Sequence, residues 1–191
     1  MSEIELIIDL HKNTQRQGPG SEKDTLNALN LIGLSLDPEV KLADIGCGSG
    51  GQTLTLAQNL NGHITAVDLF PEFLDELNEK SKKLGLEGKI KSLKASMDNL
   101  PFKPGEFDVI WSEGAIYSMG FEKGIRNWKK FLKEGGYLAL SEITWTTISR
   151  PQEIDDFWKS ECPEIDTAAN KIKILESNGF TLIGYSTLSE D

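Results

Sequence analysis

The chain has 191 residues, 38% of them hydrophobic, enough to bury one core, so a single domain is the expectation. A formal net charge of -10 repels phosphate backbones, which excludes nucleic acid as an expected partner and favours a small molecule. No apolar run reaches the roughly eighteen residues that a membrane-spanning helix needs.

The N-terminus carries Glu3, Glu5 and Asp9 in place of the basic flank and apolar run of a signal peptide. Cys47 and Cys162 supply neither a disulfide framework nor a metal-ligand cluster, so a reducing cytoplasm is expected and no metal. Helical patterns occupy 3–12 and 21–34, the second opening on Ser21 with Asp24 three residues on, close to a capping box. Between them 15–20 is a turn-rich loop holding Gly18-Pro19-Gly20.

From residue 41 onward, short apolar strands alternate with amphipathic helices, the pattern of a mostly parallel sheet covered by helices. A strand at 41–45 leads to a helix at 52–60, and a strand at 63–68 to a helix at 71–84, with Pro71 in its first turn and Gly85 at its end. Strands follow at 89–94 and 107–112, then a helix at 121–132, then Gly135-Gly136 as a break before a strand at 136–143. An excursion over 146–166, with Pro151, Pro163 and Phe157-Trp158, reads as a lid or a helical insertion. A helix at 167–178 and a strand at 180–187 close the pattern. The basic stretches at 80–83 and 129–133 lie in helical segments and read as solvated faces.

After the first strand, Gly46-x-Gly48-x-x-Gly51 fits a dinucleotide fingerprint. Asp44, two positions before the first glycine, argues otherwise. A carboxylate in such a pocket repels a pyrophosphate but suits the ammonium and sulfonium of S-adenosylmethionine. Asp68 ends the second strand about twenty residues on, where a carboxylate can accept both hydroxyls of a ribose. An NAD-dependent oxidoreductase shares that feature and stays open as the alternative, as does a non-catalytic regulator that binds an adenosyl ligand.

Here the chain resembles the class I S-adenosylmethionine-dependent methyltransferases, especially the small-molecule group that includes the quinone-biosynthesis C-methyltransferases. The resemblance runs from Gly18 onward. It rests on Ala43-Asp44-Ile45-Gly46-Cys47-Gly48-Ser49-Gly50, on Val67-Asp68, on Asp98-Asn99-Leu100-Pro101-Phe102, on Phe107-Asp108-Val109-Ile110 and on Phe131-Leu132-Lys133-Glu134-Gly135-Gly136. It implies a Rossmann-like three-layer αβα sandwich with a final antiparallel strand missing from the pattern, either absent from this sequence or supplied by a neighbour. It also implies one methyltransferase domain over 1–191. In it, 1–38 is a helical cap, 39–145 the cofactor core, 146–166 the insertion or lid, and 167–191 the last helix and strand.

The implied cofactor is S-adenosylmethionine, with S-adenosylhomocysteine as product. By the same resemblance, Asp44, Gly46 and Gly48 would hold its methionine part, Asp68 its ribose, and Leu69 would pack on the adenine. Ser96-Met97 matches the pair that usually offers an acid and a backbone N–H to the adenine; Ser96 replaces the acid, and Asp98 is the substitute.

The fourth strand ends in Trp111-Ser112-Glu113-Gly114, at the crevice side of an open parallel sheet. Glu113 is therefore the candidate contact near the methyl group and the candidate base, against a role in capping the next helix. Tyr117 is the second catalytic candidate, and with Trp145 it is read either as a wall of the acceptor pocket or as core. His63 reads as structural, His11 as a remote candidate base, and Cys47 as packing. The expected product of this reading is a methylated small molecule, made by a monomer or homodimer.

Overall fold

The computed structural model describes residue 14, residues 16–33 and residues 39–188. The expected helix at 3–12, His11, and the ends of the cap and of the chain lie outside the described residues.

Helix α1 (Glu22–Ile32) starts at the predicted capping box: the Asp24 N–H donates to Ser21 Oγ and the Ser21 N–H to Asp24 Oδ2. Then come β1 (Val40–Ile45), α2 (Gly51–Asn59), β2 (Gly62–Asp68), α3 (Pro71–Lys83), β3 (Ile90–Lys94) and β4 (Phe107–Glu113). A short 3-10 turn (Ile116–Ser118) precedes α4 (Phe121–Lys129), β5 (Leu132–Ser141), β6 (Thr144–Trp145), α5 (Gln152–Glu161), β7 (Asp166–Thr167) and α6 (Ala168–Ser177).

Five strands form one sheet in the order β3-β2-β1-β4-β5, every pair parallel. Helices cover both faces, giving the Rossmann-like αβα sandwich expected. The strand order reverses between β1 and β4, which opens a crevice at their carboxyl ends. Strand alternation divides the core in two. On β1, Val40 and Leu42 pack with Leu56 on one face, while Ala43 and Ile45 pack with Ile110 and Ile125 on the other. Asp44 shares the face of Leu42, which directs its carboxylate beneath the first turn of α2.

Three elements differ from the sequence reading. Helix α4 stops at Lys129, before the predicted 132, because Phe131 already pairs with β4: the Phe107 N–H donates to the Phe131 carbonyl at 3.0 Å. Strand β5 consequently begins at Leu132, so Gly135-Gly136 interrupts it instead of preceding it. Leu132 pairs with Phe107 and Tyr137 with Val109, which loops out 133–136, with Gly135 at φ 73°. Residues 180–187, expected as a strand, form none. Their apolar spacing predicts an extended segment, but a strand also needs a hydrogen-bonded neighbour, and side-chain periodicity carries no information about that. This segment instead approaches α1: a Cβ on Gly184 would lie 2.7 Å from Leu31 Cδ1.

The 146–166 excursion carries α5 and is bracketed by the parallel β6–β7 pair. Among the described residues no helix is long and apolar enough to cross a membrane.

Candidate functional site

A cavity of about 480 Å³ opens at the carboxyl ends of β1, β2 and β4, within the range of cofactor sites. The glycine loop forms its floor. Gly46, Gly48 and Gly50 have φ of 78°, 53° and 89°, which only glycine adopts without strain. All three are also closely approached: a Cβ on Gly46 would run into Ala115 Cβ, one on Gly48 into Gln17 Oε1, and one on Gly50 into Leu77 Cδ1.

The N–H groups of Gly46 through Gly50 are already used. Those of Gly46 and Cys47 donate to the Val67 carbonyl, and that of Gly50 to the Cys47 carbonyl. The Gly48 N–H donates to Asp68 Oδ2 at 2.8 Å, and the Ser49 N–H to Gln17 Oε1 at 2.9 Å. A pyrophosphate needs such N–H groups free, and here protein oxygens hold them.

Asp44 is fully buried. It accepts from Thr53 Oγ1 at 2.5 Å and Gln52 Nε2 at 3.3 Å. Its carboxylate does not line the cavity; Gln52 does, so the acid acts from just behind the wall. Burial pushes the Asp44 carboxyl up to about 6, against the hydrogen bonds from Thr53 and Gln52 and the nearby Arg16 charge, with Asp68 adding to the rise.

That shift sets a pH dependence. Between about pH 4 and 6 the folded chain keeps a proton that the unfolded chain, with a carboxyl near 3.9, has released. The contribution of this group is therefore full below about pH 4 and is lost as pH rises through 6. Relative to the wild type, Asp44→Asn is expected to gain up to ~3 kcal/mol between pH 4 and 7 in urea titrations. A pH-independent difference between the two proteins would show that Asp44 titrates normally.

Asp68 lines the cavity with one oxygen on the Gly48 N–H and the other accepting from the Phe70 N–H at 3.0 Å. Burial raises its carboxyl, and those backbone donors hold the rise in check. Leu69 follows on the same wall, 53% exposed for an apolar side chain, a surface available to a flat ligand. Opposite it stand Ser96, Met97 and Asp98. Trp128 Nε1 donates to the Met97 carbonyl at 3.1 Å and fixes that turn to α4. Ser96 Oγ accepts from the Asp98 N–H, and Asp98 pairs with Lys123 at 2.5 Å.

Glu113 reaches the cavity wall at the end of β4, but its carboxylate is committed. Arg16 forms an ion pair with it, and Thr25 Oγ1 and Trp111 Nε1 donate to Oε1 at 2.9 and 2.7 Å. These partners, and not the cap of the next helix, account for its position. Tyr117 lies at the mouth, half exposed. Trp145 does not line this cavity; the Arg150 guanidinium lies 3.7 Å from its ring centroid. Residues 146–166 are likewise absent from the cavity lining. His63 pairs with Glu39 at 2.7 Å at the strand's opposite end, and Cys47 is buried with its thiol pushed well up by burial.

The sequence reading missed Arg16, Gln17, Gly18 and Gln52. Gln17 and Gly18 line the cavity together with Gln52, and the only signal for them was the Gly-Pro-Gly turn ahead of a capped helix.

Residues 43–140 match the model of a family described as "Methyltransferase domain". A curated relative is the sarcosine/dimethylglycine N-methyltransferase of Halorhodospira halochloris, 22% identical over 84% of this chain and 53% of that protein. Among solved structures, phosphoethanolamine N-methyltransferase 2 of Haemonchus contortus in complex with S-adenosyl-L-methionine superposes with a TM-score of 0.76. The match has 18% identity and covers 94% of this chain and 45% of the other. The [4+2]-cyclase SpnF superposes at 0.71, with 22% identity, over 88% of this chain and 60% of the other. The chain thus spans about half the length of these relatives.

Proposed function

The chain belongs to the methyltransferase domain family, and on that premise we propose that it transfers a methyl group from S-adenosylmethionine to a small-molecule acceptor. One observation carries the cofactor reading above the others: the glycine-loop N–H groups are occupied by Asp68 and Gln17, beside the buried acid Asp44. A site built this way suits a ligand with cationic groups and a ribose but no phosphate. It disfavours the NAD-dependent alternative for the same reason.

Bound in this cavity, S-adenosylmethionine supplies a methyl group on a positively charged sulfur, whose departure as a neutral thioether needs no acid. The protein's part is alignment and charge. Asp68 accepts the two ribose hydroxyls, Leu69 covers one side of the adenine, and Ser96 with Met97 borders its edge while Asp98 stands nearby. Gly46 and Gly48 let the methionine part lie on the backbone, and Asp44 balances its ammonium through the Gln52 wall. Tyr117, half exposed at the mouth, is the side chain offered to the acceptor, and Glu113, its carboxylate held by Arg16, shapes the wall at the end of β4. The full reading is a cytoplasmic enzyme, monomer or homodimer, with one methyltransferase domain over 1–191.

Calorimetry tests the cofactor. S-adenosylhomocysteine is expected to bind in the micromolar range and NAD to give no heat; the reverse pattern would restore the oxidoreductase. A screen of small amines, phenols and quinols with labelled methyl donor then reads transfer. Cofactor binding with no transfer to any acceptor class would favour the non-catalytic regulator, or chemistry of another kind on this fold, such as the cyclisation named for one structural neighbour.

A further inference from the structure

Residues 16–20 run between the glycine loop and the end of β4, with Gln17 and Gly18 lining the cavity, and they are fastened at both sides. On the loop side, Gln17 brackets one residue with both ends of its amide. Its Oε1 accepts from the Ser49 N–H at 2.9 Å and its Nε2 donates to Ser49 Oγ at 2.6 Å. Lys80 Nζ reinforces that point, donating to Ser49 Oγ at 3.1 Å.

On the β4 side, a Cβ on Gly18 would lie 3.8 Å from the Glu113 carbonyl oxygen, and one on Gly114 3.4 Å from Pro19 Cδ. Behind the crossing, the Arg16 guanidinium pairs with the Glu113 carboxylate, their side chains 14% and 8% exposed. Arg16 Nη1 also donates to Thr25 on α1 at 3.3 Å. An ion pair this enclosed is costly to desolvate, and its worth is more often geometric than energetic.

We propose that residues 16–20 form a strap closing the amino-acid end of the cofactor site, with Gln17 as its contact to ligand and glycine loop. The Arg16–Glu113 pair is its anchor, so Glu113 is a positioning residue and not a base acting on the acceptor.

The end of the ligand is fixed by what lies opposite. Asp68 and Leu69 take the ribose and adenine end, with Ser96–Asp98 beyond, whereas the strap rests on Gly48, Ser49 and Gly114. The amino-acid end carries one ammonium and one carboxylate. Asp44 stands beneath the loop for the first, and the strap, Arg-Gln-Gly-Pro-Gly, brings no acid of its own to repel the second. This inference rests on the methyl-donor reading.

Two adenosyl thioethers separate the possibilities. S-adenosylhomocysteine has the amino-acid end; 5′-methylthioadenosine lacks it. In calorimetry on the full chain, Gln17→Ala and Glu113→Gln are each expected to weaken S-adenosylhomocysteine about tenfold or more and to leave 5′-methylthioadenosine within about twofold. A general loss of structure would weaken both ligands together, and thermal melts of each variant expose that case. If Glu113→Gln fails to fold, Gln17→Ala decides, because its side chain bonds Ser49 on the loop and Thr14, and takes no part in the buried ion pair. A wild-type chain that binds S-adenosylhomocysteine, with variants that keep the wild-type affinity ratio, overturns the strap alone. A wild-type chain that binds neither thioether overturns the proposed function and the strap with it.

Discussion

Asp68→Ala is expected to lower the affinity for S-adenosylhomocysteine by about a hundredfold or more, the largest binding effect of any single change in this site. Two contributions add. The carboxylate is the acceptor for a ribose diol, and a hydrogen bond to a charged group is worth ~1.5–3 kcal/mol. The same two oxygens hold the Gly48 and Phe70 N–H groups, so their loss also removes one of the glycine loop's ties to β2, leaving those of Gly46 and Cys47 to the Val67 carbonyl. Asp68→Asn retains one acceptor and should fall between alanine and wild type. An adenosine titration sharpens the assignment, because a ribose role predicts the same loss for adenosine alone. If adenosine affinity is unchanged in Asp68→Ala, the ribose assignment is wrong and only the loop contact remains.

The largest stability effect is expected far from the chemistry, at Gly62. It pairs with Val40 at the first rung of the β1–β2 ladder, and a Cβ there would lie 2.0 Å from the Val40 carbonyl oxygen and 2.7 Å from its nitrogen. Both contacts are backbone, with no side chain to rotate away, so the two strands must separate for alanine to fit. Gly62→Ala should cost about 3 kcal/mol, the upper range for overpacking, and lower the melting temperature by roughly 10 °C. Gly88→Ala is the control: its Cβ would meet nothing within 4 Å, and its stability should match the wild type within about 0.5 kcal/mol. Equal melting temperatures for the Gly62 and Gly88 variants would show that β1 and β2 tolerate a spacing that the geometry forbids.

The sheet was legible from residue pattern because each strand is short, apolar and followed by a helix with its own punctuation. Asp44 and Asp68 stood out for a related reason, since an acid at the end of an apolar strand has few structural uses. Periodicity could not reveal the pairing of chain segments. It gave no warning that 133–136 loop out of β5, nor that 180–187 would lack a ladder. Nor could it show that Asp44 turns beneath α2, where Gln52 stands between it and the cavity; that follows from which face of β1 the helix covers. Glu113 was found by its place at the end of β4, but its role depends on Arg16, a partner that no local motif announces. The strap residues carry no signature beyond Gly-Pro-Gly, whose chemistry arises only once the loop and β4 stand on either side.

That dependence has a kinetic side. The strap's bonds join residues 32 apart in sequence, from Gln17 to Ser49, and those of α1 reach 88 apart, from Thr25 to Glu113. Closing such separations costs chain entropy that is recovered only after β1 and β4 have already paired. The cofactor pocket is then expected to be among the last parts of the molecule to form during refolding and among the first to open under denaturant. Ligand binding after a denaturant jump should lag behind the burial of Trp111 and Trp128, both fully enclosed in the core. A newly made chain would pass through a stage with its sheet built and its binding site still unfinished.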